Sequence, residues 1–198
     1  MRTSPVAMLL CGDQQGTAFF LSSRLGVTAK HCVVSHLLDS SVPIELVVAG
    51  RHLQAKLSQP NVPESEDVAF LDLSEPVADE LVVRASATNI PTGTEWHCYG
   101  YPAAFEDNLG RFGGRVALTQ LANDSTWDVQ LSLEGSVPAL NDFSGLSGAP
   151  ILTGDAVVGL IQQQVGGTLV GASFSRLRRF LQLAEVQYSS AENCESVP

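Results

Sequence analysis

The stretch "DFSGLSGAP", residues 142–150, decides how this chain is read. It packs two serines, two glycines and a proline together, and the apolar run "ILTGDAVVGLI" follows at once. Clusters of Gly and Ser mark turns, whereas the run behind them reads as a buried strand. A serine hydroxyl is a weak nucleophile that needs a base to take its proton and donors to hold the oxyanion that forms. Gly145 and Gly148 free the main chain to turn tightly and to aim N–H groups at one point. The sequence therefore presents Ser147 as a displayed nucleophile, with Ser144 as the rival.

Working outward, the chain is a series of short strand-like segments. The N-terminal half holds "TAFFLS" (17–22), "LGVTA" (25–29), "IELVVA" (44–49), "HLQAKLS" (52–58) and "DVAFLDL" (67–73). After a softer stretch at 74–93, which reads as an interdomain crossing, come 95–102, 114–122, 127–133, 148–152, 156–163 and 168–174. Such segments, rich in β-branched and aromatic residues and separated by turn residues, point to barrels or sandwiches. "MRTSPVAMLLCG" reads as a first strand rather than an export signal, because its apolar part is short and ends in Cys-Gly. "SRLRRFLQLAEV" (175–186) predicts a helix with Ser175 as N-cap and Leu177, Phe180, Leu181 and Ala184 on one face.

Composition narrows the function. With 198 residues, 44% of them hydrophobic and 16% charged, the chain can bury a substantial core. A net charge of −10 argues against nucleic acid, and the one basic knot, "RLRR" at 176–179, reads as a solvated helix face. No run is apolar enough to span a membrane. Four cysteines, at 11, 32, 98 and 194, form no CxxC pair, and the four histidines, at 31, 36, 52 and 97, add no metal-ligand spacing. Neither a metal nor a cofactor is expected. Reduced thiols and a cytoplasmic location are the default reading.

A base for Ser147 is best sought in His31, which directly follows a strand in "GVTAKHCV". A carboxylate that would hold its tautomer is Asp67, at the start of an apolar strand, whereas Asp72 alternates toward solvent. Together, "TAKHC", "DVAFLDL" and "GLSGAP" resemble the trypsin/chymotrypsin-like serine peptidase family, over roughly residues 10 to 182 and in the order His, Asp, Ser. The resemblance implies an all-β fold of two packed six-stranded antiparallel β-barrels with a C-terminal helix. Residues 1–85 would form the barrel carrying His31 and Asp67, 86–174 the barrel carrying Ser147, 175–186 the helix and 187–198 a polar tail. It further implies Ser147 as nucleophile, His31 as general base and acid, Asp67 as orienting carboxylate, and the N–H groups of Gly145 and Ser147 as oxyanion hole.

The resemblance also implies a specificity pocket with Asn141 at its base, Asp142 beside it, and walls from Gln162 to Gln164 and around Gly171. Whether Asp142 turns inward to receive a basic side chain stays open, and Gln164 would narrow the mouth. Three departures stand out. Leu146 occupies the place of an Asp in secreted members. Gln162 occupies that of a Ser that bonds the acid, and Gly16 lies nearest the place of the missing partner of Cys32. Leu146 cannot pair with an N-terminal ammonium, so no activating N-terminal cut is expected.

The implied substrate is a protein or peptide. A regulated effector cleaving one dedicated partner, as in similar intracellular bacterial stress and defence domains, is one form of this reading. It allows a regulatory partner or a fused domain beyond the polar tail. An inactive binding module of the same fold is the alternative.

Overall fold

Alternation along the strands builds the architecture. The computed structural model describes residues 4–58, 65–105, 108–119, 126–134, 143–184, 186 and 188–189. In the N-terminal half, β1 (Val6–Cys11), β2 (Gln14–Phe20), β3 (Leu25–Thr28), β4 (Ile44–Val48), β5 (Arg51–Leu57) and β6 (Ala69–Leu73) pair antiparallel in the order β1-β2-β3-β6-β5-β4. The sheet closes where β4 returns to β1, with Leu9 opposite Leu46. Leu9, Phe20, Ile44, Leu46 and Leu71 fill this barrel. A one-turn 3₁₀ helix, Lys30–Val33, and α1 (Val34–Leu38) connect β3 to β4.

The second half holds β7 (Arg84–Ser86), β8 (Glu95–Gly100), β9 (Gly110–Thr119), β10 (Val129–Leu133), β11 (Pro150–Thr153), β12 (Ala156–Val165), β13 (Thr168–Ser173) and β14 (Tyr188–Ser189). Six of these form a second antiparallel barrel in the order β8-β9-β10-β13-β12-β11, closed where Leu152 of β11 meets His97 of β8. Trp96, Phe112, Leu131, Leu146, Ile151 and Ile161 fill it. β7 runs parallel to the first residues of β12, and β14 runs parallel to β7. β7 straddles the expected boundary at 85/86 and pairs into the second sheet. The two closed six-stranded barrels are those expected, with β1 completing the first.

The runs "AFF" and "VVGLI" read as continuously apolar because their strands are buried on both faces. Phe20 points into the first barrel, while Phe19 enters a third cluster between the barrels, together with Val27, Phe70, Leu160, Ala172 and Phe174. Leu160 and Ile161 divide in the same way between interface and second barrel. The Phe19 and Phe174 rings lie 6.2 Å apart and both side chains are fully buried. Each such burial contributes about 2–3 kcal/mol.

The C-terminal helix is shorter than the sequence pattern predicts. α2 spans Arg178–Leu183, and no side chain caps it. Ser175 instead bonds Asn89, with Oγ 2.8 Å from its Oδ1, so it is not the N-cap. Residues 174–177 form turns that bury Leu177 against the interbarrel cluster, which uses up the expected first turn. No helix of the described residues is long and apolar enough to cross a membrane.

Cys11, Cys32 and Cys98 are free thiols, and Cys194 lies outside the described residues. Gly16 faces Cys32 directly: a Cβ added there would lie 2.6 Å from the Sγ and 3.0 Å from the Cβ of Cys32. A shift of a few tenths of an ångström would suit a disulfide. A Gly16→Cys variant should oxidise to a bridge with Cys32. It should gain up to about 3 kcal/mol, the chain-entropy value for a loop of roughly 15 residues. Thermal unfolding with and without reductant checks this: a reductant-sensitive rise in Tm is expected, and a failure to cross-link would show that the two positions do not face each other.

Candidate functional site

His31 enters the site on a rigid base. Thr28, buried at the end of β3, donates from Oγ1 to the carbonyl of Thr17 at 2.8 Å. The 3₁₀ turn that follows buries Cys32 and Val33 and leaves the His31 side chain 46% exposed. Asp67 stands just before β6, and its carboxylate is committed to His31. The main-chain N–H of His31 donates to Oδ1 at 2.9 Å, and Nδ1 lies 2.8 Å from Oδ2. With the proton on Nδ1, the other ring nitrogen carries a lone pair and can take a proton. The neighbouring Glu66 is held by Arg176, with Oε1 3.0 Å from Nη2, so this pair ties the Asp67 segment to the second half of the chain.

The electrostatics follow from this pairing. The Asp67 hydrogen bond, helped by one to Cys32, raises the pKa of His31 above its ordinary 6.5. Burial is the largest influence on Asp67 and pushes its pKa upward. The hydrogen bonds and charge of His31, with the N–H of Lys30, outweigh it together and hold the carboxyl below 3.8.

The 143–150 segment folds as a pinned turn. Leu146 N–H donates to the Phe143 carbonyl at 3.0 Å, and the Leu146 side chain is buried in the second barrel. Gly148 has φ +87°, and a Cβ there would lie 2.1 Å from the Thr17 carbonyl oxygen. Gly145 has φ +90°, with a Cβ position 2.2 Å from the Tyr101 carbonyl oxygen. Only glycine fits either place. Thr17 grips the turn from β2: its N–H donates to the Ser147 carbonyl at 2.8 Å and its Oγ1 to the Gly145 carbonyl at 2.7 Å. Among the described residues, no main-chain carbonyl accepts the N–H of Gly145 or of Ser147.

The three predicted residues converge through a fourth. Ser147 Oγ donates to the main-chain carbonyl of Gln162 at 2.8 Å, and Gln162 Nε2 donates to the main-chain carbonyl of Asp67 at 3.2 Å. Cys32, next to His31, lies with Sγ 3.7 Å from the Ser147 carbonyl oxygen. Ser144 is exposed beside the turn, and its carbonyl accepts the Ala103 N–H at 2.8 Å.

A cavity of about 180 Å³ opens at Ser147, lined by Phe143, Ser144, Ile161, Gln163, Gln164 and Leu169. Gln164 stands in this wall, with Oε1 3.4 Å from the Phe143 nitrogen. Two expected wall residues do not line it. Gln162, the extra residue of a bulge between Ile161 and Gln163, is buried and turned toward Asp67. Gly171 sits within the sheet, where its Cβ position would strike the Leu160 carbonyl. Asn141 and Asp142 lie outside the described residues. A larger cavity, about 840 Å³, lies elsewhere, against Leu21–Leu25 and Val82–Arg84, and contains none of these groups.

Sequence reasoning assigned no role to Thr17. Its one signal was a hydroxyl residue opening an otherwise apolar buried run.

No family model matches the chain. No curated protein matches it either. Many solved structures share its fold. Among them is the Rv3671c protease of M. tuberculosis in its active form, with a TM-score of 0.72 at 19% identity over 94% of this chain and 84% of that one. The same protease in an inactive form gives 0.70 at 18% identity, covering 93% and 90% of the two chains. A serine-to-alanine variant, also inactive, gives 0.69 at 17%, covering 99% and 91%. At these identities the likeness establishes the fold.

The ion pair stabilises the fold where His31 is protonated and Asp67 ionised. That contribution is lost as pH rises through the raised pKa of His31 or falls through the lowered pKa of Asp67. NMR titration of His31 should give a midpoint above 6.5, and Asp67→Asn should bring it down. A wild-type midpoint at or below 6.5 would contradict the pairing.

Proposed function

We propose that this chain is a serine endopeptidase that hydrolyses peptide bonds through Ser147, His31 and Asp67. The observation that carries this reading is the junction at Gln162, whose side chain bonds the Asp67 main chain and whose own carbonyl accepts the Ser147 hydroxyl. The hydroxyl turns from the Gln162 carbonyl toward His31, which takes its proton as Oγ attacks the substrate carbonyl. The N–H groups of Gly145 and Ser147 stabilise the oxyanion. Asp67 holds the imidazole tautomer and stabilises the imidazolium, which then protonates the leaving amine. Water, activated by the same His31, releases the acyl group from Ser147.

The raised pKa of His31 makes activity rise with pH through that value, since the base must be neutral to act. The Leu146 side chain packs in the second barrel, so the turn keeps its shape by apolar contact and needs no ammonium partner. Phe143 and Leu169 with two Gln side chains make a pocket wall suited to apolar or neutral polar residues before the scissile bond. A protein substrate, possession of a dedicated partner and a cytoplasmic setting belong to the same reading. One observation favours the alternative of an inactive binding module: the Ser147 hydroxyl rests on Gln162.

A fluorophosphonate probe separates the two. Wild-type protein should be labelled at Ser147, and Ser147→Ala should lose both labelling and peptide hydrolysis. Replacing His31 should cost about as much, because nucleophile and base act as a unit. Unlabelled wild type, or labelling that survives Ser147→Ala and disappears in Ser144→Ala, would overturn the assignment.

A further inference from the structure

Gln162 is a polar side chain in an apolar place. It is 2% exposed, and its Oε1 is buried with no hydrogen-bond partner among the described residues. A buried amide with half its capacity unmet costs stability relative to an apolar side chain of similar volume. Its presence calls for something that an apolar residue would not supply.

What it supplies is a link. Its Nε2 holds the main chain of Asp67, and its own carbonyl holds the Ser147 hydroxyl. The donor goes to the peptide oxygen of Asp67 and not to the carboxylate, which leaves Oδ1 and Oδ2 to His31 and the N–H of Lys30. We propose that Gln162 is a positioning residue that couples the two arms of the site, fixing the Asp67–His31 pair through its side chain to the same residue on whose main-chain carbonyl the nucleophile rests. The proposal rests on the peptidase reading above for its consequence in rate.

The groups that face the pair are few. The N–H groups of Lys30 and His31 act on the Asp67 carboxylate, and Cys32 acts on His31. Glu66 is occupied by Arg176. β12 brings no ionisable side chain of its own. A change at Gln162 therefore reaches His31 through the placement of Asp67, because no charge is added or removed when an apolar residue replaces it.

Two variants of the full chain test this. Gln162→Met removes the link at similar volume, and Gln162→Glu keeps the shape but loses the donor when ionised, so that one remains informative if the other does not fold. The readouts are the His31 midpoint by NMR titration and the rate of fluorophosphonate labelling across pH. Both variants should label about tenfold more slowly, the worth of one hydrogen bond. The His31 midpoint should fall in Gln162→Met. Wild-type labelling rates in a folded variant would overturn the proposal. So would slower labelling with an unmoved His31 midpoint, since the side chain would then act on the turn alone. The titration needs no activity: should wild-type protein fail to label, the peptidase reading falls, while the His31 midpoint still decides the role of Gln162.

Discussion

The contact between Gly148 and the Thr17 carbonyl governs how the two barrels meet. With a Cβ position 2.1 Å from that oxygen, the turn seats on β2 only because residue 148 has no side chain. Seating brings the Ser147 carbonyl to the Thr17 N–H and the Gly145 carbonyl to the Thr17 hydroxyl. It also lets Gly148 donate to Ile161 at 2.7 Å, which carries the turn into β12. One threonine on the first barrel thus orients a turn of the second, and buried main-chain groups that would otherwise be costly are satisfied across the interface.

The same seating explains where the remaining groups lie. Thr28 bonds the Thr17 carbonyl, so the strand that leads to His31 and the turn that carries Ser147 are both referred to one residue, Thr17. The interbarrel cluster around Phe19, Phe70, Leu160 and Phe174 then holds β2, β6, β12 and the chain after β13 together. Arg176 with Glu66 closes the arrangement near Asp67. Dispersion and burial supply the strength of this interface, and the hydrogen bonds supply its register.

Much of this was legible in the residues. Doubly buried runs such as "AFF" and "VVGLI" marked strands that serve two clusters, and the glycines at 145 and 148 marked a turn that comes too close to other backbone for side chains. The expectation that His31, Asp67 and Ser147 act together came from resemblance and not from spacing, since 36 and 115 residues separate His31 from Asp67 and Cys32 from the Ser147 carbonyl. What stayed hidden were matters of side-chain direction. A bulge between Ile161 and Gln163 breaks the alternation of β12, so Gln162 turns inward while Gln163 and Gln164 both line the cavity, and nothing in the sequence marks that break. Ser175 looked like a cap because capping serines precede helices, yet tertiary packing of Leu177 delayed the helix and gave the hydroxyl to Asn89.

Amide hydrogen exchange at Thr17 tests the seating most directly, because its N–H points across the interface to Ser147. If the turn is locked onto β2, Thr17 should exchange only through global unfolding, in the slowest class with the amides of the closed first barrel. Exchange of Thr17 as fast as the exposed turn at Ser22–Arg24, while β1 and β4 stay protected, would contradict the account.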